Sequence, residues 1–259
     1  MTLLYSQSYG KLEKSKPSLV LVHGLFGNSD NLSVIRRHFE DHMHVLSVDL
    51  PDHGKSPRTQ IWSFQNAAEQ LVATIRNAGI EKAYLVGHSL GGKVSMLAAH
   101  LDSTLFDNVA VLDIAPVKYG IRHTNVLNGL GNVDLSKLTG RKQAQEKMAK
   151  YIVEPGVIAF LLKSLYQDED KNWKWRFNLP LLERDYHILI DWPFNGVLFE
   201  GDITFVKGAN SDYILPEHQS TILEQFPKAK AKIVPAGHWL HAEKTQLVNT
   251  LLSRVLLDN

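Results

Sequence analysis

The sequence predicts an α/β fold with a mostly parallel central sheet and helices on both of its faces. Short apolar, β-branched runs alternate with helical patterns, as is typical of βαβ units whose strands are buried on both sides. Six such runs occur, at 19–22, 45–48, 84–86, 109–112, 203–206 and 231–234. The stretch between the fourth and fifth runs contains no convincing buried strand. We therefore expect the sheet to carry an inserted segment.

The insertion is predicted to be a helical cap. Amphipathic helical patterns occupy 141–152, 157–166 and 181–190. We therefore divide the chain into a core of residues 1–118 and 196–259 and a cap of residues 119–195. Three of the five tryptophans and many basic side chains fall in the cap. They are consistent with a small hydrophobic core and a solvated face, or with ligand contacts.

Composition limits the classes of function. The 259 residues suffice for one large domain, or for one domain with an insertion. A formal net charge of +1 gives too weak a field to indicate binding to nucleic acid or to a membrane surface. The absence of cysteine excludes disulfides, zinc–thiolate sites and a cysteine nucleophile. No apolar run approaches the roughly 18 residues that span a bilayer, and the first residues lack a secretory signal pattern. We expect a cytoplasmic protein whose partner is a small molecule.

One hydroxyl stands between glycines directly after the third apolar run, in the segment GHSLG at 87–91. G-x-S-x-G between a strand and a helix is typical of a sharp turn that exposes its serine, here Ser89, above the sheet. Leu90 would then be the first residue of the helix, and its backbone N–H would bind a developing oxyanion. A second donor is expected in the glycine-rich loop after the first run, at Leu25 in preference to Phe26.

Three motifs follow one another in a characteristic order. They are the His-Gly turn at 23–24, the loop DLPDHGKS at 49–56 and the segment GHSLGG at 87–92. In this order they resemble the α/β-hydrolase superfamily, and the resemblance extends over nearly the whole chain. The segments LDIAPV at 112–117 and GHWLHAEK at 237–244 are similar to the small bacterial esterases of the YbfF type. Thr245 stands where proline is common in the superfamily. The resemblance implies a serine hydrolase, and we expect no cofactor.

A serine hydroxyl needs a histidine as its base and a carboxylate to orient that histidine. Of the twelve histidines, His238 follows the last apolar run, where the chain order of the superfamily places the base. His241 and Glu243 lie close behind it, but a zinc site there would lack a third convincing ligand. We therefore expect no metal.

The acid has two candidates. Most relatives carry it in a G-x-x-D pattern after the strand that precedes the histidine strand. Here Ser211 occupies that position and Asp212 comes one residue late, which would re-aim its side chain. Asp113 ends the fourth run, at the edge where such sheets bind ligands. We predict Asp113 as the acid, with Asp212 as the alternative and Ser211 as a polar accessory. A turn-capping role for Asp113 beside Pro116 remains the structural alternative.

These residues predict acyl transfer to water through an acyl-enzyme on Ser89. Phe26 and Trp239 are expected to flank the serine and line an apolar pocket under the cap, although either could belong to the core. Basic residues that lead into the cap suggest that thioesters such as acyl-CoA are accepted. They are Lys118, Arg122 and His123. The same architecture also serves carbon–carbon bond hydrolases, serine perhydrolases and non-catalytic ligand receptors.

Overall fold

A computed structural model describes residues 2–257 and shows a seven-stranded sheet beside a small hairpin. The sheet consists of β1 (Ser6–Tyr9), β2 (Ser18–Val22), β3 (Val45–Val48), β4 (Ala83–His88), β5 (Phe106–Leu112), β8 (Ile203–Gly208) and β9 (Ala229–Val234), and the hairpin of β6 (Leu165–Gln167) and β7 (Trp173–Trp175). The strand order in the sheet is β1-β3-β2-β4-β5-β8-β9. All neighbours are parallel except β1 and β3. The predicted mostly parallel sheet is confirmed, and all six apolar runs lie in it.

The first strand was not predicted from the sequence. β1 is an edge strand of sequence SQSY that is only partly buried, so it presents no apolar run. It pairs with β3, with Ser6 opposite Val48 and Tyr9 opposite Val45. At the opposite edge, β9 exposes four consecutive residues. The interior strands β2, β3 and β5, in contrast, are almost wholly buried, which explains why they stood out in the sequence.

Helices cover both faces of the sheet. Those outside the insertion are α1 (Ser33–Phe39), α2 (Phe64–Asn77), α3 (Leu90–Leu101), α9 (Gln219–Gln225), α10 (Leu240–Glu243) and α11 (Thr245–Leu257). Buried side chains of α1 and α11 form one hydrophobic cluster with alternate residues of the strands. Those of α2, α3 and α9 belong to a second, larger cluster. The interior strands are therefore enclosed on both sides, as their composition predicted.

A segment between β5 and β8 stays outside the main sheet, and the predicted bounds 119–195 are kept as its definition. It contains α4 (Thr124–Gly131), α5 (Arg141–Met148), α6 (Pro155–Lys163), α7 (Leu179–Arg184) and α8 (Tyr186–Leu189), together with the β6–β7 hairpin. The hairpin was not expected from the sequence, because two strands of three residues each are too short for a clear period-two pattern. No helix within residues 2–257 is both long and apolar enough to cross a bilayer.

Buried polar contacts join the inserted segment to the rest of the chain. The carboxylate of Asp185 accepts a hydrogen bond from the backbone N–H of Trp62 (2.8 Å). The ammonium group of Lys93, on α3, donates to the carbonyl of Asp191 (2.8 Å) and to that of Ile190 (3.3 Å). The hydroxyl of Ser164 donates to the carbonyl of Phe26 (3.0 Å). The segment also shares the hydrophobic cluster of α2 and α3, and some of its residues line the same cavity as Ser89, which directly follows β4.

Candidate active site

Ser89 lies in a sharp turn between β4 and α3, at the centre of the sheet. Its backbone has φ 52° and ψ −120°, a strained conformation for a residue with a side chain. The turn is tight because a Cβ at Gly87 would collide with the carbonyl of Gly91 and the hydroxyl of Ser95. A Cβ at Gly91 would collide with two backbone carbonyls of the β2 end. The glycines therefore let α3 approach β2 and β4 closely enough to hold the serine hydroxyl above the sheet edge.

The structure brings Ser89, His238 and Asp113 into one hydrogen-bonded chain. His238 Nε2 lies 3.0 Å from Ser89 Oγ, and His238 Nδ1 lies 2.8 Å from Asp113 Oδ2. Asp113 is fully buried, whereas the side chain of His238 is 19% exposed. A carboxylate at Nδ1 fixes the tautomer in which Nδ1 carries the proton, so Nε2 is free to accept the proton of the serine hydroxyl.

Asp113 is held by the loop that follows β8. Its Oδ1 accepts the N–H of Gly208 (2.9 Å), and its Oδ2 accepts the hydroxyl of Ser211 in addition to His238 Nδ1. The backbone of Asp113 has φ 53°, which turns the side chain toward His238 directly after β5. Asp212 points elsewhere: its carboxylate pairs with Arg122 (2.6 Å) and is 71% exposed. The geometry thus places Asp113, and not the alternative acid Asp212, beside the imidazole.

The expected oxyanion donors are both available. Within residues 2–257 neither the N–H of Leu25 nor that of Leu90 has a hydrogen-bond partner, and both residues border the space above Ser89. Leu90 is the first residue of α3, where N–H groups lack intrahelical acceptors. The N–H of Phe26, the less favoured candidate, donates instead to His53 Nε2 (3.1 Å). The backbone therefore offers two donors beside the serine.

Two buried histidines shape the loops that carry these donors. His23 Nδ1 donates to the carbonyl of Gly24 (2.8 Å), and its Nε2 accepts the N–H of Leu50 (3.0 Å). His53 Nδ1 donates to the carbonyl of Pro51 (2.8 Å), and its Nε2 accepts the N–H of Phe26. Burial lowers the pKa of both imidazoles, so they remain neutral and can accept at Nε2. These bonds tie the loop after β2 to the loop after β3.

Other imidazoles surround His238. The Nε2–H of His88 donates to the carbonyl of His238 (2.9 Å), and the ring of His241 packs against that of His88 with centroids 4.6 Å apart. Burial lowers the pKa of His88 well below the usual value and lowers the pKa of His241 to about 4. Burial also lowers the pKa of His123 to about 4. Near neutral pH these three rings are uncharged, so they add no positive charge beside the candidate base.

An aromatic network on the far side of His238 was missed in the sequence. The ring of Tyr213 stacks on His238 with centroids 3.9 Å apart and an interplanar angle of 17°. Its hydroxyl lies 3.3 Å from His123 Nε2, and His123 Nδ1 lies 2.6 Å from the hydroxyl of Tyr186. The Tyr186 hydroxyl also accepts the N–H of Arg122 and of His123, so it donates its own proton to His123 Nδ1. The residues come from distant parts of the chain, so no local pattern could have indicated the stack.

A cavity of about 610 Å³ opens beside Ser89. Phe26 and Trp239, the two predicted pocket residues, both border it, together with Phe160 and His241. Phe26 is also a core residue, because it is only 3% exposed and its ring packs on Phe177. A second, much smaller cavity of about 30 Å³ also borders Ser89, and Leu90, Ile114 and Leu189 are among its lining residues.

The basic residues near the insertion already have partners. Lys118 lies 3.5 Å from a carboxylate oxygen of Asp191, and Arg122 pairs with Asp212. His123 is neutral and bonded to tyrosine hydroxyls. In the part of the chain that the structure describes, no group of three His, Asp or Glu side chains is arranged to hold a metal ion. Glu243, which lies close to His238 and His241 in the sequence, accepts a hydrogen bond from the backbone N–H of Gly237 (2.8 Å).

Fold and site together define a class of protein. Residues 19–250 match the model of the alpha/beta hydrolase family, and the chain belongs to this family. It is 38% identical to Esterase YbfF of Escherichia coli over 242 residues, which cover 93% of both chains. It is 31% identical to the sn-1-specific diacylglycerol lipase ABHD11 of Mus musculus over 239 residues, which cover 89% of this chain and 78% of that relative. The predicted family and its esterase relatives are thus confirmed.

Solved structures agree with this assignment. A marine microorganism esterase, 29% identical, superimposes with a TM-score of 0.93 over 99% of this chain and 100% of its own. E-2-(acetamidomethylene)succinate hydrolase superimposes with a TM-score of 0.76 at 19% identity, over 98% of this chain and 94% of its own. At that identity the second likeness shows the fold alone.

Proposed function

We propose that this chain is a serine hydrolase of carboxylic esters, with Ser89 as nucleophile, His238 as general base and acid, and Asp113 as the acid that orients the imidazole. The observation that carries the proposal is the unbroken hydrogen-bonded chain from Ser89 Oγ through His238 to Asp113, beside two unbonded backbone N–H groups. This arrangement meets the requirements for acyl transfer, namely an activated nucleophile and an oxyanion site. The esterase and lipase names of the relatives agree with it.

The reaction proceeds in two halves. Ser89 Oγ attacks the ester carbonyl while His238 Nε2 takes its proton, and the N–H groups of Leu25 and Leu90 bind the oxygen as it becomes negative. When the tetrahedral intermediate collapses, the bond to the alcohol oxygen breaks and His238 returns the proton to that oxygen. Water then attacks the acyl-enzyme, again giving its proton to His238, and the carboxylic acid leaves as Ser89 is restored.

The accessory groups act on the histidine and its acid. The hydroxyl of Ser211 and the N–H of Gly208 saturate the buried Asp113 carboxylate, which stabilises its charged form in an apolar site. Stacking of Tyr213 restricts rotation of the His238 ring out of the serine–aspartate line. We assign Ser211 and Tyr213 as positioning residues, because Ser211 donates a hydrogen bond to Asp113 and Tyr213 stacks on the ring of His238.

The charges near the cavity favour simple esters over acyl-CoA as the preferred substrate. Arg122 and Lys118, the cations expected to attract phosphate, are each paired with a carboxylate. We therefore expect little dependence of ester hydrolysis on ionic strength and no preference for a CoA thioester over a simple ester. The inserted segment, residues 119–195, serves as the cap that borders the substrate cavity. The cytoplasmic location expected from the cysteine-free sequence stays a prediction.

The decisive experiment compares p-nitrophenyl butyrate hydrolysis by the wild type, Ser89→Ala and Ser95→Ala. Ser95 is a buried serine in α3, the helix that follows Ser89, so it controls for loss of a hydroxyl near the turn. We expect Ser89→Ala to lower kcat by about 10⁴-fold or more and Ser95→Ala to retain most activity. A folded wild type that does not hydrolyse the ester, or an active Ser89→Ala, would contradict the proposal.

A further inference from the structure

Two cavities meet at Ser89, and different residues close them. The larger, of about 610 Å³, is bordered by His238, Trp239 and Phe160. The smaller, of about 30 Å³, is bordered by Leu90, Ile114 and Leu189, which do not border the larger one. Five residues border both cavities, namely Leu25, Ser89, Arg122, His123 and Tyr213. An ester bound at Ser89 has two arms, the acyl chain and the alcohol, and two spaces of very different size border the serine.

The position of His238 decides which arm enters which cavity. His238 must return a proton to the alcohol oxygen as that oxygen leaves, so this oxygen has to lie within hydrogen-bond reach of Nε2. The imidazole borders the larger cavity and not the smaller one. The alcohol arm therefore extends into the larger cavity. The acyl chain leaves the carbonyl carbon in a different direction from the alcohol oxygen. The smaller cavity, bordered by the oxyanion donors Leu25 and Leu90, is therefore left to receive it.

From this geometry we infer that the protein is selective for esters that join a short acyl group to a large alcohol, with Leu189 and Ile114 limiting the acyl chain. The inference rests on the proposed function and names its substrate class. A space of about 30 Å³ is only about twice what a single water molecule needs, so a short acyl group fits and a longer chain meets the wall. The 610 Å³ cavity falls in the range of ordinary ligand pockets.

The walls of the smaller cavity are firmly supported. Ile114 is 3% exposed and closely faces Gly92 of α3, and Leu189 is 5% exposed in α8. Next to Leu189, the carbonyl of Ile190 accepts a hydrogen bond from the buried ammonium group of Lys93. This bond connects the segment that carries Leu189 to α3, the helix that follows Ser89. Leu189 is therefore not easily displaced when a longer acyl chain enters. Tight packing of this kind converts one extra methylene into a measurable penalty.

Two isomeric esters test the inference directly. Hexyl acetate and ethyl hexanoate have the same composition and differ only in which arm is long. In a pH-stat assay of the wild type, with Ser89→Ala as the blank, we expect kcat/KM for hexyl acetate to exceed that for ethyl hexanoate at least about tenfold. If Ser89-dependent hydrolysis favours ethyl hexanoate, or shows no preference, the inference is wrong while the proposed function stands. If neither ester is hydrolysed by a Ser89-dependent route, both fall.

A variant pair assigns the effect to the small cavity. Leu189→Ala enlarges that cavity, and Leu181→Ala is its control, because Leu181 lies in α7 of the same segment with the same 5% exposure and borders neither cavity. We expect Leu189→Ala to reduce the preference for hexyl acetate at least about fivefold, mainly by raising kcat/KM for ethyl hexanoate. Leu181→Ala should keep the wild-type ratio. Equal ratios in both variants would overturn the role of Leu189, and Ile114→Ala then repeats the test at the other wall.

Discussion

Two aspartates separated by about one hundred positions in the sequence differ in what their carboxylates contact. Asp113 is fully buried and bonded to His238, Gly208 and Ser211, whereas Asp212 lies at the surface with Arg122. A buried carboxylate beside the base stabilises the imidazolium that forms in the transition state. An exposed ion pair that does not reach the imidazole contributes little to either stability or chemistry. The two side chains therefore make a matched comparison.

Replacing each aspartate by asparagine should separate the two roles. We expect Asp113→Asn to lower kcat for p-nitrophenyl butyrate by about 10⁴-fold, because the amide presents an N–H to His238 and favours the wrong tautomer. Asp212→Asn should change kcat by no more than about threefold. Steady-state kinetics of the two variants check this. Near wild-type turnover in Asp113→Asn together with a large loss in Asp212→Asn would reverse the assignment.

At the scale of elements, the turn between β4 and α3 depends on how closely the helix approaches the strands. Gly91 lies in the first turn of α3, against backbone carbonyls at the end of β2. Backbone atoms cannot move aside as the end of a flexible side chain can, so an added methyl group at Gly91 would displace α3, the helix that follows Ser89. Gly131, at the end of α4, has no neighbouring atom within 4 Å of an added Cβ.

Alanine substitutions at these two glycines should therefore have opposite effects. We expect Gly91→Ala to lower the free energy of unfolding by at least about 2 kcal/mol and to reduce kcat, because overpacking moves the serine. Gly131→Ala should raise the free energy of unfolding by about 0.5 kcal/mol, because alanine restricts the unfolded chain and favours the helix. Urea denaturation monitored by circular dichroism measures both. If Gly91→Ala is as stable and as active as the wild type, α3 does not approach the end of β2 as closely as described.

At the scale of the whole molecule, Lys93 connects the helix after Ser89 to the end of α8. Its ammonium group lies among the rings of Phe64, Tyr119 and Trp192 and donates to two carbonyls of the inserted segment. Burial lowers the pKa of Lys93 to about 7, while the charge of Asp191 opposes that shift. In the unfolded chain the pKa of a lysine is about 10.4. Between these values the unfolded chain binds one more proton than the folded chain.

This difference makes stability depend on pH. Unfolding takes up a proton between about pH 7 and pH 10, so the free energy of unfolding contributed by Lys93 rises with pH over that interval. Below pH 7 both states hold the proton and the cost of burying the charge is constant. We expect the wild type to gain on the order of 3 kcal/mol between pH 7 and pH 10 relative to Lys93→Met. Urea titrations of both proteins at several pH values test this, and equal pH dependence in the two would show that Lys93 does not titrate in that interval.

The parts of the protein that could be predicted from its sequence are those that local physics specifies. Five of the six predicted strands are mainly apolar and buried on both faces, whereas β9 exposes four consecutive residues. The serine turn was predictable because only glycines tolerate its close contacts. The order of motifs along the chain was enough to predict the family. Strands lacking such a run, namely β1 and the β6–β7 hairpin, could not be found this way.

Features that depend on side chains from distant positions became visible only in the folded structure. It set Asp113 beside His238 and Asp212 beside Arg122, a choice that turns on the backbone at Asp113 and on the loop after β8. It also paired the basic residues near the insertion with carboxylates and stacked Tyr213 on the imidazole. The division of the space around the serine into a large and a small cavity arises from packing between the inserted segment and the sheet. Contacts between residues so far apart in sequence leave no local pattern, because chain folding alone brings them together.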